Sequence, residues 1–253
     1  MSELEQKIAK FRDGFLKTYS FSQPNGKMDF SPAEIAASIE HTNLKPTATS
    51  SDIANLCKEA AHFHFRSVCV NPSFVSLARS NLEGKAVKVV TVVGFPLGAS
   101  CTMCKANEAE ICIQMGADEV DMVLHQGKLK AGDLDSMFYD IHKVVVCSGK
   151  TPVKVILETC NLSTEEIITA CLLSKEAGAS FVKTSTGFST HGATLEDVHL
   201  MRAVVGKEMG VKASGGIRDW EDAVHMLQYG ADLLGTSSGV NIITRSSGGK
   251  GAY

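Results

Sequence analysis

The sequence predicts an α/β fold, a (β/α)8 TIM barrel with an N-terminal helical extension. From about residue 33 onward, strand-like and helix-like segments alternate until eight strands have been counted, an order typical of parallel sheets. The phrase Gly-Ala-Asp or Gly-Ala-Ser recurs at residues 116–118, 178–180 and 230–232, each time where a helix would end and a strand begin. The length of 253 residues is also typical of a barrel that forms one domain.

A doubly wound sheet is the main rival, because it alternates strands and helices in the same way. Such a fold usually carries a glycine-rich dinucleotide-binding loop early in the chain, and the pattern G-x-G-x-x-G does not occur in this sequence. We therefore predict a helical extension over residues 1–30 and a barrel domain over residues 31–245. Residues 246–253, which are rich in serine and glycine, are expected to form a flexible tail.

The extension is predicted from the spacing of its apolar residues. Over residues 3–20 they recur at steps of three and four, which is typical of an amphipathic helix. They are Leu4, Ile8, Phe11, Phe15 and Tyr19. Residues 21–31 include Pro24, Asn25 and Gly26 and are predicted to form a loop.

Eight strands are predicted from short apolar runs. Residues 87–93 form the clearest one, an almost continuous β-branched run of the kind that is buried on both faces. The predicted strands are 39–44, 67–70, 87–93, 119–124, 153–157, 181–183, 210–214 and 232–234.

Helices are predicted between these strands from their start signals and apolar periodicity. Ser163 and Glu166 resemble a capping box, Asp219 is an N-cap candidate, and Pro72 occupies a position at which a helix can begin. The predicted helices cover about 52–64, 72 onward, 102–115, 134–146, 163 onward, 194 onward and 219–229.

Composition and charge exclude several functional classes. A net charge of −3 argues against a nucleic-acid-binding protein, which would carry a basic stripe. No apolar run approaches the roughly 18 residues of a membrane span, and the acidic N-terminus lacks the apolar core of a signal peptide. We therefore expect a cytoplasmic protein that binds neither nucleic acid nor membrane.

The eight cysteines favour a reducing compartment, because most of them lie in apolar runs, where free cysteines pack as small hydrophobic residues. Cys101 and Cys104 form a single C-x-x-C. A zinc site would need two further ligands at matching spacing, which the sequence does not offer, so no metal site is expected. A redox role for this pair remains open.

Lys183 is the most informative single residue. It follows Phe181 and Val182 at the end of a predicted buried strand and precedes the loop 184–187, which reads Thr-Ser-Thr-Gly. A lysine is rarely buried unless it is paired or takes part in chemistry, and such a loop can bind an anion. The pattern indicates an amine that attacks the carbonyl of a phosphorylated substrate, while the structural alternative is a lysine whose ammonium reaches solvent at the strand end.

Two further charged residues lie on predicted strands near Lys183. Lys212, on the next strand, is a second cation that would lower the pKa of Lys183 and so favour the nucleophilic amine. Asp121, among apolar neighbours on the fourth strand, could pair with a lysine and relay protons. The alternative for the three residues is a buried salt-bridge network that closes the barrel.

Small residues follow the last three strands, where barrels often bind phosphate. We expect a substrate and phosphate site there, with tight turns as the structural alternative. The candidate residues are Thr186, Gly187, Gly215, Gly216, Gly235, Ser237 and Ser238.

Other polar residues at strand ends have competing interpretations. His41 could be a general base or could hold the first strand's loop, and Lys154 with Glu158 could be catalytic or a structural ion pair. Cys69 is expected in the core, since its neighbours are apolar, and Trp220 is expected to pack at a helix start.

Eight stretches together carry a resemblance to a known family, the deoxyribose-phosphate aldolases, which are class I, Schiff-base aldolases. They are I-E-H-T-N-L-K-P (39–46), V-C-V-N-P (68–72), V-V-G-F-P-L-G (92–98), E-V-D-M-V (119–123), K-V-I-L-E-T (154–159), F-V-K-T-S-T-G-F (181–188), V-K-A-S-G-G-I-R (211–218) and G-A-D-L-L-G-T-S-S-G (230–239). The family's first strand often reads I-D-H-T, whereas this chain has Glu40.

The resemblance implies a lyase of deoxyribonucleotide catabolism that needs no cofactor. The reaction would be reversible cleavage of 2-deoxy-D-ribose 5-phosphate into D-glyceraldehyde 3-phosphate and acetaldehyde. Lys183 would form the Schiff base, Lys212 would be the second lysine and Asp121 the proton relay. We expect a homo-oligomer, either a dimer or a tetramer.

Tyr253 is a further catalytic candidate, because a tyrosine on a flexible tail could reach the strand ends and transfer a proton; some relatives resemble this chain in ending with tyrosine. The alternative is a disordered tail. Rival functions for the whole chain are another barrel enzyme on sugar phosphates, transaldolase-like or isomerase, and a non-catalytic sugar-phosphate sensor. Neither an isomerase nor a sensor would need Lys183 as an imine-forming amine.

Overall fold

In a computed structural model, which describes residues 2–24 and 29–246, eight parallel strands close into a barrel in chain order. The strands are β1 (Ile39–Asn43), β2 (Ser67–Val70), β3 (Lys88–Val93), β4 (Glu119–Val123), β5 (Val153–Ile156), β6 (Phe181–Lys183), β7 (Gly210–Ser214) and β8 (Leu233–Thr236). Pairing of β1 with β8, with Ile39 opposite Leu234, completes the ring. The predicted (β/α)8 barrel is confirmed.

Helices pack around the barrel, two of them before β1 and the others after the strands. They are α1 (Glu3–Leu16), α2 (Pro32–Ser38), α3 (Ser50–His62), α4 (Val75–Asn81), α5 (Thr102–Gln114), α6 (Gln126–Lys130), α7 (Leu134–Ser148), α8 (Thr164–Glu176), α9 (Leu195–Val205), α10 (Trp220–Gln228) and α11 (Gly239–Thr244). Short 3₁₀ turns cover Pro72–Phe74 and Thr159–Asn161. The capping box of Ser163 and the cap of Asp219 are both present.

The main hydrophobic core lies between the strands and this helical layer. Outward-facing strand residues such as Val120, Val182 and Val211 are completely buried in it. Because side chains alternate across a strand, the residues between them face the barrel interior. This alternation positions the charged residues described below.

The N-terminal helix α1 packs against α7 and α8 on the outside of the barrel. It ends at Leu16, four residues before the predicted end. The apolar spacing continues to Tyr19 because that ring still stacks on Phe15, with centroids 5.0 Å apart, after the backbone has left the helix. The Tyr19 hydroxyl then meets Nδ1 of His199 at 2.9 Å.

Three short helices were not predicted from the sequence: α2, α6 and α11. Each has seven residues or fewer, so periodicity cannot identify it. None of the helices among residues 2–24 and 29–246 is long and apolar enough to cross a membrane.

Candidate active site

Asp121 lies at the centre of a buried group of three lysines inside the barrel. Its Oδ2 accepts hydrogen bonds from Lys183 Nζ at 2.9 Å and from Lys212 Nζ at 2.7 Å. Its Oδ1 accepts from Lys154 Nζ at 2.8 Å. The strands fix this arrangement, because Lys183 is directly opposite Lys212, and Asp121 is directly opposite Lys154. The three predicted catalytic residues of the barrel are therefore in direct contact.

Two more carboxylates complete the cluster. Glu40 on β1 contacts Lys212 and, at 3.2 Å, Lys154. Glu119, two residues before Asp121 on β4, accepts from Lys154 at 2.8 Å. We call Glu40, Glu119, Asp121, Lys154, Lys183 and Lys212 the charge cluster; each side chain is at most 4% exposed.

Arg66 supports this cluster from the edge of the barrel. Its guanidinium contacts Glu40 at 3.0 Å and Glu119 at 2.6 Å. The predicted alternative of a buried salt-bridge network is present, since Asp121 forms ion pairs with both Lys183 and Lys212.

The electrostatics separate the roles of the two facing lysines. Burial lowers the pKa of Lys183, Asp121 opposes this effect, and the nearby Lys212 lowers the pKa further. Burial also acts against the charged form of Lys212, but Asp121 and Glu40 outweigh it, and the pKa of Lys212 is raised. Lys183 is therefore the lysine that loses its proton more readily, while Lys212 stays an ammonium group.

The carboxyl group of Asp121 is held ionised. Burial alone would raise its pKa, yet the three lysines hold that pKa well below the ordinary value. Asp121 thus provides a fixed negative charge and a hydrogen-bond acceptor beside the amine of Lys183. This combination can stabilise an iminium ion and can accept or direct protons.

The loops after β6 and β7 are joined to each other at the same end of the barrel. The Ser214 hydroxyl donates to the Ser185 carbonyl at 2.6 Å, and Ala193 N–H donates to the Gly215 carbonyl at 3.1 Å. Gly215 and Gly216 both have positive φ, 80° and 83°, which favours glycine. Gly187, in the preceding loop, has φ 86°.

Gly235, Ser237 and Ser238, the predicted phosphate-binding residues at the end of β8, contact different parts of the barrel. A side chain at Gly235 would meet Lys212 Cε at 3.0 Å and Ser214 Cβ at 2.9 Å, so this glycine makes room for the second lysine. The N–H of Ser238 donates to Thr236 Oγ1 at 2.9 Å. Ser237 lines a cavity of about 200 Å³ beside β1.

Thr186 is bound to a buried carboxylate. Its N–H donates to Glu158 at 3.1 Å, and its hydroxyl contacts the same carboxyl group. Glu158 has a left-handed backbone, φ 57°, which is uncommon for a residue other than glycine. Of the two alternatives for Lys154 and Glu158, the ion pair between them is wrong, because Lys154 binds the acids of the cluster while Glu158 binds Thr186 in the β6 loop.

Three other residues considered in the sequence, His41, Cys69 and Trp220, lie outside the charge cluster. His41 is buried, and its Nε2 contacts Glu59 at 2.7 Å, as expected for a residue that holds the first strand. Cys69 is buried in the barrel interior, and burial raises its pKa to about 11. Arg245 lies over the ring of Trp220, 4.1 Å from its centroid. Tyr253 is outside the described residues.

Known proteins similar to this chain are aldolases. Residues 35–245 match the model of the DeoC/LacD family of aldolases. A deoxyribose-phosphate aldolase of Thermotoga maritima is 55% identical over 250 residues, which cover 99% of this chain and 97% of that protein.

Solved structures are similar as well. The alignment with a structure from Coccidioides immitis has a TM-score of 0.90 at 41% identity, and it covers 96% of this chain and 97% of that chain. The alignment with a tetrameric deoxyribose-phosphate aldolase from Aeropyrum pernix has a TM-score of 0.80 at 35% identity, and it covers 85% of this chain and 91% of that chain. With its family match, its relatives and a buried lysine pair in the barrel, the chain belongs to the DeoC/LacD family of aldolases.

Proposed function

We propose that this protein is a deoxyribose-phosphate aldolase, a lyase that reversibly cleaves 2-deoxy-D-ribose 5-phosphate to D-glyceraldehyde 3-phosphate and acetaldehyde. The observation that carries the proposal is the buried amine of Lys183, whose pKa is lowered beside the ammonium of Lys212 and the carboxylate of Asp121. A neutral amine at this depth is the nucleophile that imine formation requires. Relatives at 55% identity carry the same activity in their names.

The first half of the reaction forms the imine. The neutral Lys183 amine attacks C1 of the open-chain sugar, and the resulting carbinolamine loses water to give a protonated imine. Loss of water requires a proton on the leaving hydroxyl, and Lys212 is the neighbouring ammonium group that can supply it. The iminium charge lies beside Asp121, whose ionised carboxylate stabilises it.

The second half breaks the carbon–carbon bond. A base removes the proton of the C3 hydroxyl, and the electrons of the C2–C3 bond move toward the iminium nitrogen, giving an enamine and releasing glyceraldehyde 3-phosphate. The enamine then takes a proton at C2, and hydrolysis releases acetaldehyde and the free amine. In this proposal Asp121 and Lys212, through water, move the proton of the C3 hydroxyl and the protons of the hydrolysis step.

The substrate phosphate is proposed to bind at the end of β8, where Gly235 lies, and at the loops that follow β6, β7 and β8. The positive φ angles of consecutive glycines support this, since such turns can direct backbone N–H groups toward an anion. The proposed set is Thr186, Gly187, Gly215, Gly216, Gly235, Ser237 and Ser238.

Tyr253 is proposed as the acid that delivers the proton to C2. Deletion of this residue should slow exchange of the acetaldehyde methyl protons with deuterated solvent, and NMR measures the exchange directly. An unchanged exchange rate would eliminate the role. Imine formation at Lys183 is the internal control, because it precedes the C2 proton transfer.

The proposal includes an organisation of the chain and of its assembly. We assign residues 1–30 to an extension, 31–245 to the barrel and 246–253 to a tail, supported by a family match that begins at residue 35. A homo-oligomer, dimer or tetramer, is proposed because the Aeropyrum pernix relative is described as a tetramer. We place the protein in the cytoplasm, in deoxyribonucleotide catabolism.

The test is reductive trapping with acetaldehyde and borohydride, followed by peptide mass spectrometry. We expect an ethyl group on Lys183 and loss of turnover in Lys183→Arg, since a guanidinium stays protonated. Lys130→Arg, at an exposed lysine paired with Glu166, is the matched control and should keep full activity. No adduct in folded protein would contradict the proposal, and an adduct on Lys212 or Lys154 would overturn the assignment of roles.

A further inference from the structure

Cys101 and Cys104 form a pair of exposed thiols on the outside of the barrel. Cys101 is the residue immediately before α5, and Cys104 is in the first turn of that helix. Their Sγ atoms are 3.1 Å apart, and both residues are exposed. Neither thiol belongs to the charge cluster or to the loops assigned to the substrate.

The two thiols differ in acidity. Contact with Cys104 and the backbone at the start of the helix lower the pKa of the Cys101 thiol, whereas contact with Cys101 raises the pKa of the Cys104 thiol. A thiolate is the reactive form of cysteine. Cys101 is therefore the attacking thiol and Cys104 the one that follows.

Four other cysteines are protected from the same chemistry by burial. Cys57, Cys69 and Cys112 are buried, and burial raises the pKa of each thiol to about 11. Cys171 is buried too, with a raised pKa. Cys147 and Cys160 are half-buried, so Cys101 and Cys104 are the two exposed thiols among the eight cysteines.

The surrounding structure allows the pair to close. A disulfide has an S–S distance of about 2.05 Å, so the two sulfur atoms need to approach by roughly 1 Å. The first turn of α5 is anchored independently of the thiols, because Thr102 and Lys105 both donate to Asp140 at 2.7 Å. Closure can therefore occur by rotation of two exposed side chains.

We propose that Cys101 and Cys104 are a thiol–disulfide exchange site for low-molecular-weight disulfides such as oxidised glutathione. The Cys101 thiolate attacks one sulfur of the small disulfide, forming a mixed disulfide and releasing one thiolate. Cys104 loses its proton, attacks Cys101 Sγ and expels the second thiolate. Two protein thiols are oxidised, and one small disulfide is reduced to two thiols, which take up the protons released.

The experiment is equilibration of the folded protein with mixtures of reduced and oxidised glutathione. Samples are quenched with acid, alkylated with N-ethylmaleimide and digested with trypsin. Cleavage after Lys88 and Lys105 places both cysteines, and no other, in the peptide 89–105. As the fraction of oxidised glutathione rises, we expect the doubly alkylated peptide to be replaced by a disulfide form. That form carries no alkyl group and has two hydrogens fewer than the dithiol.

Variants separate the two steps. Cys104→Ser should stop at a glutathione adduct on Cys101, formed at least about tenfold faster than any adduct on the half-buried Cys147. Cys147→Ser is the matched control and should still form the disulfide. The proposal is overturned if the 89–105 peptide stays doubly alkylated in oxidised glutathione alone, or if Cys101 and Cys147 react at equal rates in Cys104→Ser.

Discussion

Replacing Lys212 with leucine removes the second ammonium group from the neighbourhood of Lys183. Both amines donate to one oxygen of Asp121, at 2.9 and 2.7 Å, so the two Nζ atoms are at most 5.6 Å apart. Two unit charges at that distance interact by about 3 kcal/mol at an effective dielectric constant near 20. The cation of Lys212 disfavours protonation of Lys183 by this amount, and its loss should raise the pKa of Lys183.

The consequence appears in the pH dependence of catalysis. Neutral Lys183 is the reactive form, so the shift in its pKa alone should lower kcat/KM at pH 7 by up to about 100-fold in Lys212→Leu. This part of the loss should recover as the pH rises, whereas the loss of Lys212 as a proton donor remains at every pH. Steady-state rates of deoxyribose 5-phosphate cleavage between about pH 6 and pH 10 measure this.

Lys212→Arg is the matched control for the charge. It retains a cation, and the ascending limb of its pH profile should stay near that of the unmodified enzyme, even if its rate differs. The electrostatic reasoning is refuted if the ascending limb of Lys212→Leu is unchanged or moves to lower pH.

Three further predictions concern stability and substrate binding. The pKa of Glu119 is lowered from 4.5 to about 2. Its contribution to the free energy of unfolding, about 3 kcal/mol, is therefore complete above pH 4.5 and lost as the pH falls toward 2. Between pH 5 and pH 3, the free energy of unfolding in urea should decrease less in Glu119→Gln than in the unmodified protein. Lys105→Met leaves the buried Asp140 without its cation and should lower the free energy of unfolding by about 3–5 kcal/mol. Adding Asp140→Leu should restore most of this loss. A loss below about 1 kcal/mol, measured by unfolding in urea, would contradict the prediction. Gly192→Ala would place a Cβ 2.1 Å from the Gly215 carbonyl oxygen and should raise KM for the phosphorylated sugar by about tenfold while leaving acetaldehyde trapping intact; an unchanged KM would separate this loop from phosphate binding.

The sequence was sufficient for the barrel because its strands are short, strongly apolar and separated by recognisable helix ends. The run at residues 88–93 and the capping box at Ser163 are local signals that tertiary structure did not override. Helices α2, α6 and α11 are too short for periodicity, and packing determines them. The end of α1 was misplaced because ring stacking continued the apolar spacing beyond the helix.

The centre of the site was predictable, whereas its supporting residues were not. Lys183 and Lys212 are unusual in buried strands, and adjacent parallel strands place them side by side. Glu40 and Glu119 occur near strand starts, where a carboxylate ordinarily reaches solvent; pairing of β4 with β5 brings Glu119 to Lys154, and closure of the barrel brings Glu40 to it from β1. For Glu119, the signal that could have identified it is its spacing of two from Asp121, which places both carboxylates on the same face of β4.

The left-handed backbone of Glu158 and the close approach at Gly235 were also out of reach of sequence reasoning. Both depend on contacts between loops or strands that are distant in the chain: Glu158 with Thr186, and Gly235 with Lys212. Sequence patterns report spacing along one segment. They do not report which group a second segment brings to within 3 Å.

The charge cluster divides along the chain between β4 and β5. Its three carboxylates belong to the first four strands, and its three lysines belong to the last four. A barrel made of two copies of the first half, β1–β4, would enclose a surplus of negative charge even with the Arg66 guanidinium groups counted. A barrel made of two copies of the second half, β5–β8, would enclose six ammonium groups. Buried charges without counter-ions are strongly unfavourable, so each half of the barrel can close only with the other, and the residues that tune the amine also dictate which halves assemble.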